Sequence, residues 1–130
     1  MSAIDMMGWP VVVVCFNYPA TDQDAEKWLN DLSDILAKEA PFSMVIQARP
    51  NSEFSPFARK MLGLWFKENR LKLQDHCRGI ARHVQSLEEG ERVVSDNMQK
   101  AMPFPMKAFM DWQLARDWAL ERLESEGSFA

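Results

Sequence analysis

Val11-Val12-Val13-Val14-Cys15-Phe16 is a run of six apolar residues, closed by Trp9-Pro10 on one side and Asn17-Tyr18-Pro19 on the other. Consecutive β-branched side chains favour an extended backbone over a helix, where their χ1 freedom is lost. The run has no polar alternation, so it reads as a strand buried on both faces. Such a strand needs cover above and below, and the rest of the chain is expected to supply it.

Upstream, Ile4 to Met7 is expected to form a short edge strand that turns back at Gly8-Trp9-Pro10. Downstream, Thr21 with Asp24 three residues later spells a capping box. Ala25, Trp28, Leu29, Leu32, Ile35 and Leu36 then share one helical face, and Pro41 closes that helix. Phe42 to Ala48 reads as the next strand, followed by the loop Arg49-Pro50-Asn51-Ser52-Glu53. Ser55-Pro56 starts a helix expected to reach about Gln74. Its inner side carries Ala58, Met61, Leu62, Trp65, Phe66 and Leu73. Gly79 to Val84 reads as a third core strand, and Ser86 to Glu89 opens a helix toward Lys100. Met102-Pro103-Phe104-Pro105 cannot be helix interior. Met106 to Phe109 is a short last strand, and Asp111 caps a final helix. The order is (β)βαβαβαβα. It predicts an α/β fold: a mostly parallel sheet of about four or five strands with helices on both faces and the valine strand at or near its centre.

The chain of 130 residues is expected to form one domain, 1–130, with residues 124–130 as a frayed tail. A hydrophobic content of 47% with 26% charged residues is that of a soluble globular protein. A net charge of −4 argues against a nucleic-acid partner. No apolar run approaches the roughly 18 residues of a transmembrane segment. The first residues lack a basic leader pattern, and Cys15 and Cys77 are the only cysteines. The expectation is a cytoplasmic protein with reduced thiols.

Val11 to Tyr18 followed by the Thr21 helix, Cys77-Arg78-Gly79-Ile80-Ala81 opening a strand, and Ala108-Phe109 with Ala115 and Trp118 near the end together resemble STAS-type domains. These are the sulfate-transporter and anti-sigma-factor-antagonist group, and the likeness is greatest to their SpoIIAA-like bacterial branch. The resemblance covers about the whole chain and lies mainly in element order. It implies a non-enzymatic regulatory domain that binds another protein. It also implies a phosphorylatable serine in an Asp-Ser-Ser-Gly-like motif at the helix after the second core strand. Here that region reads Asn51-Ser52-Glu53-Phe54-Ser55-Pro56, so the motif is absent although a serine stands at the helix start.

No phosphate-binding glycine loop, nucleophile elbow or zinc-ligand spacing occurs. Asp75-His76-Cys77 contains acid, base and nucleophile types, but neighbours in sequence point apart. An enzyme using Cys77 with His76 or His83 is the least favoured reading, and Cys15 reads as an inert core residue. His76 and His83 have no third ligand at a usual spacing, so no metal and no cofactor are expected.

Three sets of residues remain as binding candidates. Arg49, Asn51, Ser52 and Ser55 lie where open α/β sheets bind ligands, at a strand end beside a helix start, and would suit an anion. Arg59, Lys60, Lys67 and Arg70 line the outer side of one helix, within a segment 59–82 that holds seven basic and two acidic residues. That set would suit an acidic protein, an anionic lipid surface or a phosphate group, or be only a solvated face. Met98, Met102, Phe104 and Met106 form a soft apolar segment, suited to core packing, a ligand pocket or a self-association contact. The favoured function is a protein-interaction domain, with a partner protein or a second copy. The alternative is a carrier of a small apolar ligand or lipid, supported by a distant similarity of element order to the lipid-binding CRAL-TRIO fold.

Overall fold

The computed structural model describes residues 2–127, with side chains through residue 124. Its five strands are β1 (Ile4–Met7), β2 (Val11–Phe16), β3 (Phe42–Ala48), β4 (Cys77–His83) and β5 (Met106–Phe109), hydrogen-bonded in that spatial order. β1 is antiparallel to β2, and every later pair is parallel. Gly8 makes the β1–β2 turn with φ +89, where a Cβ would stand 2.7 Å from the Val11 carbonyl oxygen. Parallel neighbours require crossovers. These are α1 (Asp22–Leu36), then α2 (Pro56–Glu68) with α3 (Arg70–His76), then α4 (Leu87–Val93) with α5 (Asp96–Ala101). α6 (Trp112–Gly127) follows β5. Residues 124–127, expected to belong to a frayed tail, continue this helix, and residues 128–130 lie outside the described ones.

The helices cover both faces, unequally. On the front face, α1, α2 and α3 bury Val12, Val14, Phe16, Met44, Ile46 and Ile80 in one apolar cluster. Phe16, Trp28 and Phe54 pack edge-on and stacked, with ring centroids 5.2–6.3 Å apart. On the back face, α6 sets Ala115 and Ala119 against Val45 and Ala81. Small residues on both sides bring the helix close enough for Ser43 Oγ to donate to the Ala119 carbonyl at 2.8 Å. Gly79 has the same role at the edge of that contact, since a Cβ there would meet the Trp118 ring at 3.0 Å.

The valine strand lies beside the sheet centre, as expected, but its second face is less covered than expected. It is second in the sheet, and β3 is central. Val12, Val14 and Phe16 are buried, while Val11, Val13 and Cys15 on the back face are only partly covered. α6 packs on β3 and β4, and Val11 is the β2 residue that reaches its cluster.

Local signals account for most helix boundaries. Thr21 and Asp24 form a reciprocal capping box, with bonds of 3.1 and 2.9 Å. Asp111 Oδ1 accepts from Leu114 N at 3.0 Å. The helix expected from Ser86 to Lys100 is instead two. Val93-Val94 disfavours continuation, and Ser95 supplies a second cap by accepting from Met98 N at 3.1 Å. The helix from Ser55 is interrupted at Asn69 and runs to His76 rather than Gln74.

Candidate functional site

α2 and α3 form one ridge on the front of the molecule. Ser55 starts it by accepting from Ala58 N at 3.0 Å, with Pro56 in the first turn. The ridge is anchored to α1 through Trp65 Nε1, which donates to Ser33 Oγ at 2.9 Å. Each helix closes on Asn69: Asn69 N reaches the Trp65 carbonyl at 3.0 Å, and Leu73 N reaches the Asn69 carbonyl at 2.9 Å. Asn69 Nδ2 also donates to the Trp65 carbonyl, so this polar group among apolar positions is satisfied. Both helices therefore end on Asn69, whose backbone (φ −104, ψ 13) lies outside the helical region.

The inner side of the ridge buries Ala58 and Leu73 and partly buries Met61, Leu62, Trp65 and Phe66. The outer side is not purely charged. Phe57, Leu64 and Leu71 are 63%, 51% and 74% exposed. They recur every seven residues, a spacing that drifts by only about 20° around a helix. Lys60 and Lys67 fall between them at the same spacing, and Arg59 and Arg70 flank them. The crest is therefore an alternation of large apolar and basic side chains.

The ridge also joins two of the expected residue sets. Lys67 and Arg70 line a cavity of about 280 Å³ with Gly63, Phe66, Met102 and Pro103. Arg70 donates to the Ala101 carbonyl there, tying α3 to the end of α5. The other methionine-segment residues separate: Phe104 is buried in the front core, Met106 lines a different groove beside β5, and Met98 lies on α5.

The four residues at the end of β3 do not converge. Arg49 and Asn51 line a cavity of about 350 Å³ together with Glu53, Glu88, Glu89 and Arg92. Ser52 turns inward, its hydroxyl donating to the Arg49 carbonyl at 2.6 Å. Ser55 donates to Asp22 Oδ1 at 2.6 Å, which places a carboxylate at the start of α2.

Cys77 lies buried at the start of β4, and desolvation pushes its thiol up to about 12. A thiol so raised is almost wholly protonated near neutral pH and is a poor nucleophile. Cys15 is raised as well, by burial and then by the nearby Asp5 carboxylate. His83 Nδ1 lies 2.8 Å from Gln47 Oε1 and its ring meets Trp112 edge-on. Among the described residues no group of three or more His, Cys, Asp or Glu could hold a metal ion. No described helix is long and apolar enough to cross a membrane.

No family model matches the chain, and no curated protein does. Among solved structures, it is similar to an uncharacterised protein of the DUF3478 family with a SpoIIAA-like fold from Shewanella loihica PV-4. The TM-score is 0.67 at 19% identity, covering 90% of this chain and 92% of that one. The chain has a STAS-like fold. At that identity the likeness extends to architecture, and functional residues must be argued from the side chains present.

Charge patterning in the sequence points to Lys60, Lys67 and Arg70 as candidates but not to Phe57, Leu64 and Leu71. The signal was available: once the inner face is assigned, three large apolar residues remain on the outer side at one constant spacing.

Proposed function

We propose that this STAS-like domain is non-enzymatic and works by docking an acidic partner protein on the outer ridge of α2 and α3. One observation carries the reading: Phe57, Leu64 and Leu71 alternate with Lys60 and Lys67 on the exposed outer side of α2 and α3. Such a crest matches a partner helix that offers apolar side chains beside carboxylates. Apolar anchors supply most of the affinity, and the lysines supply orientation and rate of encounter. A second copy is disfavoured on this face, because two identical crests would oppose lysine to lysine. The high value for Cys77 favours the non-enzymatic reading over a cysteine-dependent reaction.

Affinity capture with three baits tests this: the native chain, Leu64→Asp with Leu71→Asp, and Leu114→Asp with Leu120→Asp on α6. The expected result is an acidic protein held by the native chain and the α6 variant and lost from the ridge variant. Equal retention by all three baits contradicts the proposal. Preferential binding of the native chain to anionic vesicles, with no protein retained, would reassign the ridge to a lipid surface.

A second reading, a site for a small anionic amphiphile, is supported by the cavity beside the ridge. Phe66, Met102 and Pro103 offer apolar walls, and Lys67 and Arg70 offer cations. Native mass spectrometry of protein purified from its own cell should then show a bound acid of matching size, released by Lys67→Glu. A ligand-free mass contradicts this reading and leaves the docking proposal standing.

A further inference from the structure

The far edge of the sheet carries an inference that does not depend on the ridge. β5 pairs with β4, and among the described residues no strand lies on its other side. The Pro105 carbonyl accepts from Ile80 N at 3.0 Å, and the Phe109 carbonyl accepts from Val84 N at 2.8 Å. In a parallel ladder the groups facing one neighbour recur at every second residue. The backbone groups of Lys107 therefore face β4 as well, and those of Met106 and Ala108 face outward.

A groove of about 650 Å³ runs along this edge. Five consecutive residues, Met106 to Met110, border it. Successive strand side chains point to opposite faces, so all five border one space only where that space follows the strand's edge. The facing wall is α4, with Leu87 and Glu91, and Val94 just after it. Gly90 lets this helix approach, since a Cβ there would meet Ala108 Cβ at 3.1 Å. Leu87 and Met110 are 76% and 54% exposed at the groove.

We propose that this groove binds an extended peptide segment of another protein, which adds to β5 as a further strand. The outward N–H and C=O groups of Met106 and Ala108 ask for donors and acceptors at strand spacing, which an apolar small molecule does not provide. A second copy pairing through a strand of four residues would fall well short of the roughly 1,000 Å² of a stable dimer. The walls also set the peptide's chemistry. Side chains on the α4 side meet Leu87 and Val94 and should be apolar, with Glu91 disfavouring carboxylates there. Those on the other face stand beside Lys107, whose Nζ lies 5.5 Å from the Phe109 ring centroid, and favour carboxylates. The segment recognised is thus an alternation of apolar and acidic residues.

The probe is the peptide acetyl-Val-Glu-Val-Glu-Val-amide, followed by amide hydrogen exchange and NMR titration of the full chain. Saturation with peptide should slow exchange at Met106 and Ala108 about tenfold or more, with smaller changes on α2 and α3. Ala108→Pro deletes an outward N–H and no ladder bond, a substitution that edge strands tolerate. It should weaken binding about five- to tenfold, the loss of one net hydrogen bond. Lys107→Glu should reverse the preference toward the same peptide with lysine in place of glutamate. If Ala108→Pro fails to fold by circular dichroism, Leu87→Arg on the exposed wall takes its place and should weaken binding as much. Absence of peptide binding, or unchanged binding by the folded edge variant, overturns the proposal. So does protection of the same amides by self-association without peptide.

Discussion

α2 with α3 and α6 cover opposite faces of one sheet, and both expose large apolar side chains. On α6, Leu114 and Leu120 are exposed, but six residues separate them and place them about 120° apart around the helix. Asp117, Glu121 and Glu124 occupy the crest between them. That is a solvated surface with isolated leucines, which soluble proteins carry routinely. On the ridge, the seven-residue spacing keeps Phe57 and Leu64 in one line on α2, with Lys60 between them, and Leu71 repeats the spacing on α3 beyond Lys67. The number of exposed leucines does not separate these surfaces. Their phase around the helix does, because phase decides whether apolar area is contiguous enough for a partner to cover.

The largest effect is expected across the ridge itself, between its two sides. Leu73, 4% exposed, and Leu71, 74% exposed, lie two residues apart on α3. Leu73→Ala should cost about 2–5 kcal/mol in chemical denaturation, against about 0.5 kcal/mol or less for Leu71→Ala. Similar losses from both would mean that the outer leucine is packed and unavailable for docking. Next in size is the loss of partner binding by Leu64→Asp with Leu71→Asp. Removing two anchors should lower affinity by about 2 kcal/mol or more, roughly thirtyfold. The paired α6 change, Leu114→Asp with Leu120→Asp, should leave affinity within about twofold.

Charge sharpens the comparison further. Lys60→Glu with Lys67→Glu should reduce affinity about tenfold at low salt, acting mainly on the association rate. The native chain should lose affinity as salt is raised, and this variant should not. Reversing Asp117 and Glu121 on α6 to lysine should leave the salt dependence in place. The smallest effect concerns Gly63, on the flank of the ridge beside Lys67 and Arg70. A Cβ at this position meets nothing within 4 Å. Gly63→Ala should therefore stabilise α2 by about 0.5–1 kcal/mol, raising the thermal midpoint by a few degrees. A destabilising Gly63→Ala would mean that the backbone there needs the freedom of glycine.

The contrast also explains what the sequence revealed. Strand and helix positions were legible wherever a local signal agreed with packing: the valine run, the Thr21–Asp24 box, Ser55-Pro56. The incomplete cover of β2 was not, because a run of valines has the same spelling whether its second face is covered fully or in part. Cover on that face depends on where α6 settles, and Ala115 and Ala119 settle it against Val45 and Ala81. The split between α4 and α5 is invisible to a reading that follows one helix from Ser86, because Ser95 acts as a cap only once Val93-Val94 has ended the first helix. For the candidate site, the lysines were readable from charge alone. The cavity that joins Lys67 and Arg70 to Met102 was not, since α3 and the end of α5 are far apart in sequence and meet only after folding. Ser55 shows the converse. A helix start free in the sequence is met by the Asp22 carboxylate in the structure.

Site-specific photo-crosslinking in the native cell is the most direct test of the ridge as a docking surface. Benzoylphenylalanine would replace Leu64 in one strain and Leu114 in another, both exposed positions that tolerate the change. A discrete crosslinked protein of acidic composition is expected from position 64, abolished by Lys60→Glu with Lys67→Glu, and none from position 114. A discrete product from position 114 with none from position 64 would contradict docking on the ridge.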